Sequence, residues 1–231
     1  FGSLRMSNFI KKIQVLRKRK NFQKKSSKKK NILFFSFTYN CLLEFHKKPA
    51  IGAFGKEGLV RLFRNSHNAI IDFAKRNENI NITIKTKWDR NWHQIIISNW
   101  LKHSGNNELP KNLKITSEGN VHDMILKTDL VLSFFSTAMC ESGLRDIPVI
   151  FLYFDEIANK FKYLLNIKWI KKAYFICTNY KKLENDIQLQ FKNFKITKNL
   201  RKNRDDLFEE YASIFKPKSS KELLSSINKI I

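Results

Sequence analysis

The sequence predicts an α/β fold, a Rossmann-like parallel sheet with helices on both faces. Strand-like and helix-like segments alternate from residue 31 to about residue 200, which is typical of such a sheet. Residues 129–135 are too continuously apolar for a half-exposed strand and suit a central parallel one, and residues 148–152 begin another. We therefore expect five or six parallel strands, with 129–135 in the centre.

The first half of the chain is expected to alternate three strands with three helices. A helix is predicted where apolar residues recur at a spacing of 3.6, and a strand where they alternate or run together. Residues 39–58 contain Pro49, Gly52, Gly55 and Gly58 and are predicted to form a long loop. The strands are expected at 32–37, 80–85 and 113–116, and the helices at 59–77, 89–103 and 121–128.

The second half continues the same pattern. After the central strand we expect a short helix, a strand from residue 148, an amphipathic lysine-rich segment and a last strand, followed by three helices. The five elements after residue 152 are predicted at 162–172, 173–177, 180–191, 203–215 and 221–231. Three regions follow: a basic linker or tail at 1–30, a Rossmann-like domain at 31–200, and C-terminal helices at 201–231 that pack on or beside it.

The chain is strongly basic, with a net charge of +24 over 231 residues. Residues 1–30 hold twelve of the 44 lysines and arginines and no acidic residue. A lysine-rich composition of this kind also arises from AT-rich coding sequence, so the charge alone does not define a partner. The functional alternative is a polyanionic partner: a nucleotide, anionic lipid headgroups or nucleic acid. No nucleic-acid-binding motif is visible, which disfavours nucleic acid.

Residues 1–30 have a patchy amphipathic start that could lie on a membrane surface, but a linker or tail fits them better. We expect them to be peripheral, so that trimming them changes stability little. No apolar run is long enough to span a bilayer, and no signal peptide is visible. The three cysteines form no CxxC pair, which indicates free thiols in a reducing cytoplasm, with the inner face of the membrane as a further location. The histidines show no metal-ligand spacing, so no metal is expected.

The most informative segment follows the central strand. Ser136 and Thr137 occupy the position of a helix N-cap. In an open parallel sheet, ligands bind beyond the carboxyl ends of the strands, and the free N–H groups of a helix start favour a phosphate there. Glu141 lies one helical turn after Thr137, on the same face. An N-cap pair followed by a solvated glutamate would give the same pattern without any ligand.

This segment, TDLVLSFFSTAMCESGLRDIPVIFL, resembles the nucleotide-binding half of GT-B glycosyltransferases and of UDP-N-acetylglucosamine 2-epimerases. The resemblance implies that Ser136 and Thr137 contact the nucleotide phosphate and that Glu141 contacts the ribose. It also implies a nucleotide-sugar as substrate, no further cofactor, and a catalytic base supplied by the other half. The chain begins with Phe1, so we expect it to be part of a longer protein.

Related transferases often carry a Lys-x-His-Pro motif after the second strand. Lys85 matches its lysine, but Lys87 stands where the histidine would fall and Trp88 where the proline would. Lys85 and Lys87 are therefore candidate phosphate contacts, and a histidine-dependent step is in doubt. His122 is a candidate for lining the nucleotide pocket, with a solvent-exposed helix start as the alternative.

The predicted first loop is a second candidate region. Its three glycines would permit close approach of a ligand to the backbone, and Lys56 and Arg61 could meet a phosphate. The spacing matches neither Walker A nor the GxGxxG pattern. A surface loop without a ligand is an equal alternative.

The function expected from these features is transfer of a sugar from a nucleotide-sugar to a glycan or lipid-linked acceptor, in surface polysaccharide synthesis. The domain's part would be donor binding. Two other classes stay open: an enzyme similar to nucleotide-sugar epimerases, and a non-enzymatic basic module that binds nucleic acid or membrane.

Overall fold

A computed structural model describes residues 6–18, 29–37, 49–87, 90–134, 136–154 and 167–212. Within these residues, six strands form one parallel sheet in the order β3-β2-β1-β4-β5-β6. This confirms the predicted fold class and the central position of the strand within 129–135. The strands are β1 Lys30–Phe35, β2 Ile80–Lys85, β3 Leu113–Thr116, β4 Leu130–Ser133, β5 Val149–Leu152 and β6 Phe175–Cys177.

Eight α-helices lie in the described part of the chain. Most of them follow a strand and return the chain from its carboxyl end to the end of the sheet where the next strand begins, as parallel pairing requires. A 3-10 turn at Tyr180–Lys182 precedes the seventh helix. The helices are α1 Ser7–Lys18, α2 Pro49–Arg76, α3 Arg90–Ser104, α4 Val121–Lys127, α5 Thr137–Gly143, α6 Ile167–Ala173, α7 Leu183–Asn193 and α8 Lys198–Ala212.

The strand order reverses between β1 and β4. From β1 the chain adds β2 and β3 on one side, and it then crosses to the other side of β1 to form β4, β5 and β6. Phe35 at the end of β1 is in register with both Lys85 on β2 and Ser133 on β4, so these three strands end level with one another. This reversal is where open α/β sheets form a ligand crevice at the carboxyl edge.

The helices form separate packing groups around the sheet. Helix α2 contacts α3 and α7, whereas α5 contacts α4 and α8, and α8 also contacts α6. All four residues of β4 are buried, as are all four of β5, which is the burial expected of strands covered on both faces.

Helix α1 contradicts the expectation that residues 1–30 are peripheral. Phe9, Ile10 and Ile13 are at most 2% exposed and belong to the main core. The lysines that made this segment look like a tail lie on the other face, since Lys11, Lys12 and Lys18 are exposed. The apolar face that would have rested on a membrane is thus occupied by the core. Residues 19–28 lie outside the described residues.

Helix α2 contradicts the predicted loop over residues 39–58. The helix begins at Pro49, a residue that is well tolerated in the first turn, and it includes Gly52, Gly55 and Gly58. The prediction of a glycine-rich loop that could approach a phosphate is therefore wrong for residues 49–58. Lys56 and the exposed Arg61 lie along the helix as well. Residues 38–48 of that prediction lie outside the described residues.

Helix α8 is anchored by a buried arginine. Arg204 is 1% exposed, and its guanidinium donates to Ala173 O at 2.9 Å and to Ile147 O at 2.8 Å. The guanidinium carbon Cζ of Arg204 also lies 5.5 Å from the ring centre of Tyr174 and 5.3 Å from that of Phe194. The chain therefore continues the folded unit through α8, which spans the expected boundary at residue 200. The helix predicted at 221–231 lies outside the described residues.

Replacing Phe9 by Ala should destabilise the protein by about 3–5 kcal/mol, because a fully buried aromatic side chain is lost from the core. Urea unfolding followed by circular dichroism measures the change. Val15→Ala is the matched control on the same helix. Val15 is 49% exposed, and its loss should change the free energy of unfolding by less than about 0.5 kcal/mol. Equal unfolding midpoints for Phe9→Ala and wild type would show that α1 does not contribute to the core.

Candidate functional site

The candidate site is the crevice between the carboxyl ends of β1 and β4. Phe37 follows β1, Phe134 follows β4, and their rings pack at 4.8 Å between centres with an angle of 60°. Phe37 is 6% exposed and Phe134 is 1% exposed. An aromatic pair thus fills the space directly beyond the two strands, and the polar groups of the site lie around it.

The turn between β4 and α5 has the predicted cap geometry. Ser136 has extended backbone angles, φ −135° and ψ 137°, and its Oγ accepts a hydrogen bond from Ala138 N at 3.2 Å. Its own O–H proton remains a donor, since a serine hydroxyl both donates and accepts. Thr137 is the first residue of α5 and is exposed. Two hydroxyl groups and the first backbone N–H of α5 are therefore at this edge.

Two predicted site residues, His122 and Glu141, contact one another. His122 Nε2 lies 3.2 Å from Glu141 Oε2, and the two side chains are 16% and 6% exposed. Phe9 of α1 stacks on the His122 ring, with 4.4 Å between ring centres and an angle of 16°. Glu141 is thus not the solvated helix glutamate of the alternative interpretation. It is a buried carboxylate paired with an imidazole.

The two lysines after β2 have different surroundings. Lys85 Nζ donates to Thr86 O at 3.0 Å and to Ser117 O at 2.6 Å, so it ties the segment after β3 to the end of β2. Burial lowers the pKa of Lys85. The two bonds use two of the three donors of an ammonium group. Lys87 is exposed at the same edge. A phosphate contact by either lysine stays a prediction.

A buried polar chain at the end of β1 was missed by the sequence analysis. His67 Nδ1 lies 2.7 Å from Phe63 O, which can only accept, so this nitrogen carries the proton. His67 Nε2 then accepts from the Ser36 hydroxyl at 2.8 Å, and Ser36 Oγ accepts from Trp92 Nε1 at 3.2 Å. Burial lowers the pKa of His67 to about 3, so the ring is neutral near pH 7.

A second hydroxyl–imidazole pair lies at the end of β2. Thr86 Oγ1 is 2.8 Å from His93 Nε2, and His93 is half-buried in the first turn of α3. An imidazole therefore does lie at this strand end, although Lys87 replaces the histidine of the motif. Sequence spacing gave no signal for either pair beyond the apolar stripe that places residues 63 and 67 on one face of α2.

An apolar cavity of about 130 Å³ lies at the start of α5. Its lining includes the two hydroxyl residues of the turn together with apolar residues from α5, β5, α6 and α8. The lining residues are Ser136, Thr137, Met139, Cys140, Phe151, Ile170 and Leu207. Burial raises the pKa of Cys140 to about 11, so its thiol stays protonated near neutral pH.

Within the described ranges, no cluster of three or more His, Cys, Asp or Glu residues has metal-binding geometry. Among the helices of the same ranges, none has the length and apolar character needed to cross a bilayer.

Comparison with known proteins finds similarity in structure only. No family model matches the sequence, and no curated protein matches it. The wall teichoic acid polymerase TagF, in a form soaked with CDPG, superposes with a TM-score of 0.53 at 17% identity over 98% of this chain and 47% of TagF. A second TagF structure gives 0.52 at 16% identity over 96% and 48%. The UDP-GlcNAc 2-epimerase of Methanocaldococcus jannaschii gives 0.47 at 13% identity over 91% and 54%.

The fold is that of a GT-B glycosyltransferase-like domain of the Rossmann type. The chain spans about half the length of the TagF structures that it matches. The recognition of the GT-B fold from residues 128–152 is thereby confirmed, while the reaction and the roles of the site residues stay predictions.

The stability of the protein should fall as the pH decreases below 6.5, and His67 should cause part of this fall. Its pKa is about 3 in the folded state and 6.5 in the unfolded chain, so between these values only the unfolded state binds the proton. The stability contributed by the neutral ring is complete above pH 6.5. It decreases by about 2 kcal/mol between pH 7 and pH 5.

Urea unfolding at pH 7, 6 and 5 measures this effect. His67→Gln should lose that part of the pH dependence, whatever its own cost in stability. His103→Gln serves as the control, because the His103 side chain is 56% exposed, and it should keep the wild-type dependence. An identical pH dependence in His67→Gln and wild type would contradict the assignment.

Proposed function

We propose that the chain is the donor-binding half of a glycosyltransferase. It would transfer a sugar or a related group from a nucleotide-activated donor to a glycan or lipid-linked acceptor, in the synthesis of a surface polysaccharide. The observation that carries the proposal is the polar turn Ser136–Thr137 beside the crevice where the strand order reverses. Crevices of this kind bind nucleotides in open α/β sheets.

The turn offers donors suited to a diphosphate. The Ser136 hydroxyl, the Thr137 hydroxyl and the Thr137 backbone N–H can each donate to a phosphate oxygen. When the donor bond breaks, negative charge develops on the departing nucleoside diphosphate. Donors fixed in position before the reaction stabilise that charge without a reorganisation cost. The exposed cation of Lys87 adds to the same effect.

Glu141 is the proposed partner of the ribose. Its Oε2 meets His122, and a ribose hydroxyl would contact the same carboxylate. Because the Glu141 side chain is only 6% exposed, this contact requires groups around the carboxylate to move. His122, stacked on Phe9, would then act both as a cover of the carboxylate and as a wall of the nucleotide pocket.

The likeness to TagF supports this class of donor. TagF has been soaked with CDPG, and the present chain covers about half of TagF. An acceptor site and a catalytic base would accordingly belong to a second half of the enzyme. The proposed donor is thus a nucleotide-activated sugar or polyol. The acceptor would bind to the second half of the enzyme.

Removing the proposed contacts should weaken nucleotide binding and leave the fold intact. Glu141→Gln, and the double change Ser136→Ala with Thr137→Ala, should each reduce the affinity for UDP or CDP about tenfold or more. This is the effect of losing a hydrogen bond that involves a charged group. Isothermal titration with UDP, CMP, CDP and CDP-glycerol measures it.

Two controls separate binding from stability. Glu78→Gln and Ser98→Ala alter exposed residues away from the crevice and should bind as wild type does. Loss of the Ser136 cap should itself cost about 1 kcal/mol of folding free energy, which urea unfolding reports separately. The proposal fails if the variants bind nucleotide as tightly as wild type, or if the natural full-length protein binds none of the four compounds.

A further inference from the structure

Helix α5 and its cap carry the three residues that are proposed to contact the phosphates and the ribose. Ser136 is the cap, Thr137 is the first residue of the helix, and Glu141 lies four residues later. The helix has only seven residues, so it is about 10 Å long. The six residues after Thr137 are buried, and the Ser142 hydroxyl donates to Ala138 O at 2.6 Å. A helix this short moves as one body, so a displacement of its last residue also displaces the three proposed contacts.

Helix α5 ends against the side chain of Tyr174. The last residue of the helix is Gly143, and a Cβ at that position would lie 2.8 Å from Tyr174 Oη and 3.0 Å from Tyr174 Cε1. Nonbonded carbon atoms pack best at about 3.5–4.0 Å, so even a methyl group does not fit between the helix and the ring. Glycine therefore allows α5 to approach the tyrosine more closely than any other residue would.

The Tyr174 side chain is confined at this contact. It is 4% exposed, and Cζ of Arg204 lies 5.5 Å from the centre of its ring. Arg204 is itself fixed, because its guanidinium donates to Ala173 O at 2.9 Å and to Ile147 O at 2.8 Å. It also reaches Gly143 O at 3.4 Å, so one side chain holds both the end of α5 and the residue before the tyrosine. An added Cβ would therefore be accommodated by movement of α5.

The proposed donor contacts are sensitive to such a movement. Protein hydrogen bonds form over a narrow range of about 2.7–3.2 Å between donor and acceptor, and binding groups must lie within about 0.5 Å of their productive positions. Glu141 is only two residues from Gly143, and its Oε2 already lies 3.2 Å from His122 Nε2. A shift of about 0.5 Å, enough to relieve the contact with Tyr174, would misplace the carboxylate and both hydroxyl groups.

We propose that the contact between Gly143 and Tyr174 sets the position of α5 and thereby the affinity of the chain for the nucleotide of the donor. Gly143 and Tyr174 are positioning residues, and they act on the ligand only through α5. This inference rests on the proposed function, and it adds to that function a determinant that lies at the far end of α5 from the turn.

Two substitutions and their combination test the proposal by isothermal titration of the natural full-length protein with UDP and CDP. Gly143→Ala adds the Cβ that meets Tyr174 and should lower the affinity about tenfold. Tyr174→Phe removes the Oη that the new Cβ would meet first, and by itself it should lower the affinity less than about threefold. The double variant should bind at least about threefold more tightly than Gly143→Ala, because the ring then leaves room for the methyl group.

Ile187→Ala is the matched control for a loss of stability. Ile187 is fully buried on α7, which packs on α2, so its truncation should lower the urea midpoint without displacing α5. The control variant should therefore bind nucleotide as wild type does. A loss of affinity in Ile187→Ala as large as that in Gly143→Ala would show that reduced stability explains both, and the proposal would be overturned.

NMR of the free protein reports the position of α5 without a ligand. The backbone amide signals of Thr137 and Ala138 should shift in Gly143→Ala and return toward their wild-type positions in the double variant. Unchanged signals at these two residues reject the proposal, as does a loss of affinity that Tyr174→Phe leaves unrelieved.

The titration also separates this inference from the proposed function. Wild-type affinity in Gly143→Ala rejects the inference and leaves the proposed function standing. If wild type binds neither nucleotide, the proposed function fails, and the role of the contact in donor affinity is rejected with it. The amide signals then decide by themselves whether the contact between Gly143 and Tyr174 positions α5.

Discussion

The pairing of β1 with β4 is the constraint on which the rest of the architecture depends. It joins two strands that are separated by β2, β3 and about a hundred residues of chain, and it sets Phe35 beside Ser133. The strand ends are thereby level, and the turn after β4 reaches the crevice beside Ser36 and Phe37. Asp129 strengthens the start of the pairing, because its backbone N–H donates to Asn31 O at 2.8 Å and its Oδ2 accepts from Asn31 N at 2.9 Å. A slip of one residue in this register would turn the apolar side chains of β4 to the wrong faces.

At the opposite edge, an ionic cluster joins the beginning and the end of the described chain. Arg17 on α1 contacts Asp146 and Asp205, and Arg201 on α8 lies 2.7 Å from Asp146. Asp146 has a positive φ of 58°, a conformation that aspartate tolerates better than most residues. Its side chain is 13% exposed, so the pairing with two arginines compensates for the desolvation of its charge.

The sequence was informative where local pattern determines structure. Residues 80–85 and 113–116 were predicted to the residue, because each is a short apolar segment between polar turns. Prediction from the sequence failed where contacts between distant segments determine the structure. Helix α1 resembled a tail in the sequence, because its apolar residues become buried only through contacts with α4 and the core. The glycines of α2 suggested a loop, and packing of the longer helix outweighed their low propensity. Of the site, the turn at Ser136 and the helix carrying Glu141 were visible. The contacts of His67 with Ser36, of His93 with Thr86 and of Glu141 with His122 were not visible, because each joins different elements.

The buried guanidinium of Arg204 has a consequence for the way in which this chain is made. Besides Ala173 O and Ile147 O, it reaches Gly143 O at 3.4 Å, so it satisfies carbonyl groups of the last residues of α5 and α6 and of the turn before β5. During synthesis those carbonyls are made dozens of residues before Arg204 emerges from the ribosome. The half of the sheet that contains β5 and β6 can therefore complete its packing only late in translation, whereas β1, β2 and β3 can pair much earlier. A nascent chain stopped before α8 would expose these groups together with the apolar surface of α5, and it would be a natural substrate for chaperones.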